Sequence, residues 1–527
     1  MTEHITIIGA GLSGLSAAIR LAELGVSCAL VSLQPSERAQ SVLAEGGINA
    51  ALDTMGEGDT PAEHFADTMR GGADLADPNA VAGLTGNAPE LVRRLYALGA
   101  PLQAERGRLI LRNFGGQKKK RTAYAKSSTG KVLMTALIDE ARRYEAAGLI
   151  RRFSHHELTG LSVDCGRCTG AVVRDSHTGR GLRFPGPVLL CCGGPGGLFP
   201  GMTTGTTANS GTAAALAFAA GAALGNPEMI QYHPTTVQIP NKRMLISEAA
   251  RGEGGRLFVR RGSENWYFME ELYPALGNLM PRDVVSREMV RVCALPECGG
   301  QVFLDMTGLP KDTWRRKLPD LRAEVEHYLA LDPAKQPIPV SPGIHYFMGG
   351  LLVDEAHRTT VPDLFAAGEC ACQYHGANRL GGNSMLGAIY GGRVAAEAAA
   401  PHAVGGEPAA LGSQPSETVT AAFAATLGDV LLSGLGILRE ETGLTQALAR
   451  LDALAALERS EADRRQRLLG RAMLLAALAR QESRGAHTRT DFPERNDARF
   501  QKTTVARFRD GGIDITFQAI PERRAVL

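Results

Sequence analysis

His4-Ile5-Thr6-Ile7-Ile8-Gly9-Ala10-Gly11-Leu12-Ser13-Gly14 decides the fold of this chain. Residues 4–8 read as a short buried strand, and Leu15–Leu24 carries a helical pattern. Between them Gly9, Gly11 and Gly14 are spaced as G-x-G-x-x-G, and Gly25-Val26 leads into a second strand at 27–32. A strand before these glycines and a helix after them make a βαβ unit. Its turn closes tightly, and a pyrophosphate can rest on the helix N-terminus, where free N–H groups and the dipole favour an anion. The motif predicts a Rossmann-like α/β domain that binds a dinucleotide. The second strand ends at Ser32 instead of an acid for an adenosine ribose, and the nearest acid, Glu37, lies past Pro35. That weakens the case for NAD and leaves FAD, with the Ser32 hydroxyl as a ribose contact.

At about 150 residues per domain, 527 residues suggest three or four units. With 44% hydrophobic and 21% charged residues the chain is globular, not disordered. Lys+Arg 57 against Asp+Glu 55 leaves +2, which gives no basic field for nucleic acid. Two tryptophans and 5% aromatics argue against a base-stacking platform. Nine scattered cysteines do not form a disulfide framework. Only Cys165-Gly166-Arg167-Cys168 has ligand-like spacing, and no second pair completes a site, so no metal is predicted. These features fit a reduced, cytoplasmic setting. No basic-then-apolar leader is visible. The apolar stretch near Ala213–Leu224 falls short of the roughly 20 residues a membrane helix needs. A position at the inner face of a membrane would therefore be peripheral, through another chain.

Residues 84–98 and 131–147 read as amphipathic helices, and 157–164, 169–175 and 181–192 as strands of a small sheet. The last runs into the glycine-rich turn Gly193-Gly194-Pro195-Gly196-Gly197, a second place for close ligand approach. An Ala-rich helix is expected over 210–223, starting at Asn209 or Ser210. Residues 235–342 are less regular and read as an insertion. A Pro/Gly-rich linker follows at 401–415, then a helical stretch at 416–482 and a mixed, charged end.

Between residues 230 and 380 lie His233, Glu248, Arg251, Arg282, His345, His375 and Arg379, each beside Gly, Pro or Asn. Next to a dinucleotide fold they describe a pocket with excess positive charge, suited to a small substrate with more than one carboxylate. Arginine offers a planar fork for two-point carboxylate binding. Spacing alone does not say which of them meet.

Longer segments then carry a resemblance. Ala44-Glu45-Gly46-Gly47-Ile48, Phe114-Gly115-Gly116, Tyr232-His233-Pro234-Thr235 and Ser247-Glu248-Ala249-Ala250-Arg251-Gly252-Glu253 follow the N-terminal glycine motif. Pro281-Arg282-Asp283, His345-Tyr346-Phe347-Met348, Ala367-Gly368-Glu369, His375-Gly376-Ala377-Asn378-Arg379 and Ser483-Arg484-Gly485-Ala486-His487 complete the series. In this order they resemble the flavoprotein subunit family of succinate dehydrogenase and fumarate reductase, which also includes L-aspartate oxidase. The resemblance implies an FAD-binding domain in two parts, 1–234 and 346–402. An α+β capping domain is inserted at 235–345, and a C-terminal helical domain spans 416–527. It implies hydride exchange between flavin N5 and a C4 dicarboxylate. His233, His345, Arg379 and Ser247 resemble the groups that grip the substrate. Arg282 resembles the general acid/base, with Glu248 and Arg251 as its proton relay. Cofactor contacts would fall on Gly9, Gly11, Gly14, Ser32, Ala44, Gly46, Gly47, Gly193, Gly194, Glu369, Asn383 and Ser384.

Departures from the family pattern sharpen the expectation. Gln40 stands where the membrane-bound complexes carry the histidine that links to flavin, so FAD should be noncovalent, which tilts the reading towards fumarate reduction or an oxidase. Glu45 replaces the usual Gln of its motif. Gly211-Thr212-Ala213 lacks the expected carboxylate, and a trimmed C-terminal domain leaves docking to an iron–sulfur partner open. Phe114 stands where L-aspartate oxidases carry a glutamate before Gly-Gly, which favours unsubstituted dicarboxylates over aspartate. L-Aspartate oxidase remains the alternative enzyme, and a degenerate, non-enzymatic flavoprotein the alternative of another class. Lys118-Lys119-Lys120-Arg121 reads as a solvated loop, Cys370 and Cys372 as buried packing residues, and His155 and His156 as surface residues.

Overall fold

The computed structural model describes residues 3–240 and 242–524. The first strand, Glu3–Ile8, lies inside a parallel sheet ordered Leu364–Ala366, Val188–Leu190, Glu3–Ile8, Ser27–Ser32, Ile150–Ser154. Sequence neighbours lie to one side of it and late strands to the other. The strand order therefore reverses there, at the topological switch point where open α/β sheets bind ligands beyond their strand C-termini. Helices Leu12–Glu23, Thr129–Ala146 and Asn383–Ala399 pack on one face through Leu15, Ile19, Leu133, Leu137 and Leu386, all buried. The Val/Ile/Leu-rich strands are buried on both faces, as parallel strands must be.

A four-stranded antiparallel sheet orders Ala409–Ser413, Arg180–Pro185, Arg167–Asp175 and His156–Asp164. The stretch 181–192 is therefore not one strand. Gly186-Pro187, with Gly186 at φ +92°, breaks it, and Val188–Leu190 crosses to the parallel sheet. The expected linker 401–415 is also structured. Val404–Gly405 pairs with Glu3 and His4, and Ala409–Ser413 adds an edge to the antiparallel sheet. The Ala-rich helix starts later than expected, at Thr212, after Gly211 in the left-handed region. Cys165 is exposed, while Cys168 is buried on its strand.

The inserted region is more regular than its sequence suggests. Its six-stranded sheet orders Lys242–Leu245, Ile230–Ile239, Ile338–Phe347, Cys298–Asp305, Arg256–Arg261 and Glu264–Trp266. Leu257, Val259, Phe268, Val285, Met289 and Trp314 form a core of its own beneath it. The central pair, Ile230–Ile239 and Ile338–Phe347, runs through both proposed capping boundaries and sets His233 opposite Gly343. Toward the C-terminus, helices Ala421–Leu435, Glu441–Ala453 and Glu461–Ala479 pack through Leu427, Leu431, Leu444, Leu451 and Met473. The third is opened by a capping box between Ser460 and Asp463. The hairpin Lys502–Arg509/Gly512–Ala519 then pairs back onto Leu224–Gly225.

Arg121 is fully buried, not solvated with Lys118 and Lys120. It pairs with Asp59 at 2.8 Å and Asp67 at 2.9 Å. His156 is half-buried rather than exposed and faces the central cavity.

Candidate active site

A cavity of about 970 Å³ opens at the C-terminal ends of the parallel strands. That volume is at the upper end of the usual range for ligand pockets, about 300–1,000 Å³. Gly9, Gly11, Ser32, Ala44, Gly46, Gly47, Gly193, Glu369 and Ser384 line it. Gly9 has φ +111°, and a Cβ there would lie 2.2 Å from Cys191 O; on Gly14 it would lie 1.8 Å from Gly9 O. These two glycines hold the turn tight, and Gly14 serves by packing without touching the cavity. The Ser32 hydroxyl is buried, has no protein partner and lies at the cavity edge. An orphaned hydroxyl at the end of the second strand fits a ribose, so the residues present suit FAD. Glu37 plays no such part and pairs with Arg142 at the surface.

Gly194 and Asn383 do not line the cavity. Gly194 packs against Glu369, and Asn383 is turned inward. Asn383 bonds Asn49 at 2.7 Å, His64 at 3.0 Å and Thr68 at 3.0 Å, which fixes the start of its helix. Ser384 beside it faces the cavity. Gln40 lines the cavity, and its Oε1 accepts the Thr206 N–H at 2.7 Å. Burial pushes the Glu369 carboxyl up to about 7, although it accepts the Phe347 N–H at 3.0 Å.

The same cavity is lined by Phe114, His233, Ser247, Glu248, Arg282, His345 and Arg379. Arg282 is the first residue of helix Arg282–Cys293, set by Pro281 at the cap. Its guanidinium donates from Nη2 at 2.6 Å and Nε at 2.9 Å to one oxygen, Oε2, of Glu248. Glu248 Oε1 accepts the Gly115 N–H at 2.9 Å and faces Arg251 at 3.8 Å. Arg251 does not line the cavity; it donates to Asn278 O at 2.6 Å, and its Nε and Nη2 have no hydrogen-bond partner. Burial opposes ionisation of Glu248, but Arg282 and Arg251 outweigh it and hold the carboxyl below its ordinary range. The order Arg251–Glu248–Arg282 is thus a buried line of alternating charge ending in the cavity.

His233 and His345 lie on neighbouring strands with ring centroids 5.2 Å apart. Burial and the Arg282 charge hold both well below the ordinary imidazole range, so both are neutral near pH 7. His345 Nδ1 meets Thr204 Oγ1 at 2.9 Å, while His233 Nε2 is buried without a partner. Arg379 lies 4.3 Å from the Tyr346 ring centroid, and its Nε is unpaired. Burial, with Arg282 nearby, lowers the Arg379 guanidinium to about 9. Unpaired buried donors around a common space mark places for ligand oxygens. His375 does not join them; its ring is buried against Tyr346 and Tyr374.

Gln231 is absent from the residues singled out by sequence. It is fully buried, and its Oε1 accepts from Arg282 Nη1 at 3.1 Å and Arg379 Nη2 at 3.0 Å. Its Nε2 donates to Asn378 Oδ1 at 2.9 Å and Arg379 O at 2.8 Å. The signal was available: strand alternation puts 231 on the same face as His233.

Comparison with known proteins agrees with this geometry. The FAD binding domain profile matches residues 4–385, and the fumarate reductase flavoprotein C-terminal profile matches 464–523. The succinate dehydrogenase flavoprotein subunit of Bacillus subtilis is 36% identical, over 96% of this chain and 94% of its own. The L-aspartate oxidase of Streptomyces coelicolor is 33% identical, over 96% and 92%. Among solved structures, a chain of Escherichia coli quinol fumarate reductase superposes with TM-score 0.87 at 28% identity, covering 99% of this chain and 97% of that one. The chain belongs to the succinate dehydrogenase/fumarate reductase flavoprotein family, FAD-dependent oxidoreductases that share their fold with L-aspartate oxidases.

Proposed function

We propose that this protein interconverts fumarate and succinate, with fumarate reduction the favoured direction. The observation that carries the reading is the double hydrogen bond from Arg282 to Glu248, in the wall of a pocket where His233, His345 and Arg379 present donors. Arg379 and the neutral imidazoles, with Ser247, take the two carboxylates and draw charge from the alkene between them. Bound FAD supplies the hydride for one alkene carbon. Arg282 gives a proton from its guanidinium to the other carbon, and the buried Arg251–Glu248 pair returns one to it. Arg282 serves as the acid in this reading by its position, held between Glu248 and Gln231 in the cavity wall.

FAD is held noncovalently in this reading, because Gln40 offers no imidazole nucleophile and is engaged with Thr206. Relatives are named flavoprotein subunits, which supports an electron-transfer partner, an iron–sulfur protein being the fitting class. Among the described residues no helix is long and apolar enough to cross a membrane. Placement is proposed as cytoplasmic, with any membrane contact made peripherally through that partner. The capping division at 235–345 and the C-terminal unit at 416–527 are retained as proposals. L-Aspartate oxidation is the second reading, and the apolar Phe114 wall of the pocket speaks against it. The test is turnover of fumarate, succinate and aspartate by one preparation with an artificial electron carrier. Fumarate reduction with reduced viologen supports the proposal; aspartate-dependent peroxide faster than either C4 activity refutes it.

A further inference from the structure

The segment Ser483-Arg484-Gly485-Ala486-His487 has no part in the proposed reaction, yet it is built against the loop that carries Arg379. The Ala486 N–H donates to Ala377 O at 2.9 Å. Gly485 sits at φ +55°, and a Cβ on it would lie 2.6 Å from Ala377 O and 2.8 Å from the Ala377 Cβ. Only glycine fits both that backbone and that gap. Ala486 and Ala377 share a small apolar cluster with Tyr346, whose ring centroid is 4.3 Å from the guanidinium carbon of Arg379.

Further ties keep this contact from sliding. The Ala377 N–H donates to Gly72 O at 2.8 Å, and Arg484 Nη1 donates to Ala73 O at 2.9 Å, so the loop and the segment hang on one turn. Arg484 is itself fixed, with Nε and Nη2 on the two oxygens of Glu482 at 2.7 and 2.9 Å. His487 reaches the start of the strand that carries Gln231. Its Nε2–H donates to Arg480 O at 3.0 Å, which leaves Nδ1 to accept from Arg439 Nη1 at 2.9 Å. That nitrogen also donates to Glu228 O at 2.8 Å. Gln231, three residues on, is the acceptor of Arg379 Nη2.

We propose that Gly485 is a positioning residue for Arg379, through which the C-terminal segment sets where the pocket grips a substrate carboxylate. This rests on the fumarate–succinate reading. The Arg379 side chain is held by Nη2 on Gln231 at 3.0 Å and more loosely by Nη1 on Leu380 O at 3.5 Å, with Nε unpaired. Its aim is therefore set largely by the backbone beneath it. A Cβ on Gly485 would have to push Ala377 by about 1 Å to reach ordinary contact. A displacement of that size costs up to about a hundredfold in a fitted site.

The test titrates malonate, a dicarboxylate that cannot be dehydrogenated, into the FAD-loaded protein and reads the flavin difference spectrum. Gly485→Ala should raise the malonate Kd at least about tenfold, ~1.4 kcal/mol, with FAD content unchanged. Fumarate KM should rise with it while kcat stays within about threefold, as expected when binding is lost equally from ground and transition states. Gly511→Ala is the control. At φ +76° it carries the same backbone cost, but nothing lies within 4 Å of a Cβ there, so Kd should not move. Ala377→Gly removes the methyl on the other side of the contact without a clash. It should raise Kd about threefold, and it decides the matter if Gly485→Ala takes up no FAD. An unchanged Kd in the FAD-loaded variant, or an equal rise in Gly511→Ala, overturns the proposal. So does a fall in kcat with KM unchanged. A wild-type protein that binds no malonate would instead overturn the dicarboxylate reading, and this one with it.

Discussion

Arg282 places two N–H groups, Nη2 and Nε, on the single oxygen Oε2 of Glu248, at 2.6 and 2.9 Å. A symmetric fork would use both carboxylate oxygens. Here the second oxygen is left for the Gly115 N–H and the approach of Arg251. Glu248 is thus a two-sided element, with one oxygen to Arg282 and the other to Gly115 and Arg251, and Nη1 of Arg282 remains for the buried Gln231.

Gln231 holds the two cavity arginines by one acceptor oxygen. Gln231→Leu removes that acceptor and leaves two buried charged donors short of a partner. Fumarate kcat/KM should fall about a hundredfold, equivalent to ~2.7 kcal/mol, with FAD content unchanged. Gln231→Glu should instead shift the alkaline limb of the rate profile upward, because an added carboxylate stabilises the charged form of Arg379, which burial holds at about 9. Steady-state kinetics against pH separates the two.

Gln40 carries no nucleophilic imidazole. Acid precipitation of the yellow protein should leave all flavin in the supernatant. Flavin fluorescence travelling with the denatured chain would show a covalent link made elsewhere.

Phe114 is buried at the cavity wall beside Gly46 and Gly381. Aspartate adds an ammonium to a pocket already holding Arg282 and Arg379, and this wall gives it no countercharge. Aspartate oxidation should be at least about tenfold poorer than succinate oxidation in kcat/KM, ~1.4 kcal/mol. Phe114→Glu should narrow that gap. Kinetics of both substrates on each protein decides the matter.

Acid should unfold the protein through its buried histidines. Burial lowers His64 and His357 to about 4 and His375 to about 3. The unfolded chain then binds more protons than the folded one below the ordinary imidazole value, ~6.5. The stability they give is present above that value and is lost as pH falls towards their folded values. The Tm of the FAD-loaded protein should drop steeply between about pH 6.5 and 4. A flat Tm over that window would contradict neutral buried histidines.

What the sequence made legible was local or periodic. Gly9 and Gly14 announce their turn because the packing that demands glycine lies within a few residues or on the adjoining strand. Arg282, His233 and Arg379 stand out by type and neighbourhood. Arg121 reads as solvated in sequence because its partners Asp59 and Asp67 are more than 50 residues away, and a run of cations gives no hint of burial. Asn383 reads as a cofactor contact in sequence because it shares a helix start with Ser384, although the first helical turn points the two in different directions. Gln231 carries no charge to draw the eye, and its importance appears only when two distant arginines are brought to it. The insertion reads as irregular because its central strands, Ile230–Ile239, Cys298–Asp305 and Ile338–Phe347, find partners far away in sequence.

The central claim is that Arg282 is the proton donor. Arg282→Ala, loaded with FAD, should reduce fumarate several orders of magnitude more slowly than wild type with reduced viologen, and Arg282→Lys should recover little, since an ammonium lacks the planar fork that bonds Glu248 and Gln231 together. An alanine variant that keeps more than about a tenth of the wild-type rate, a barrier change under ~1.4 kcal/mol, would contradict the account.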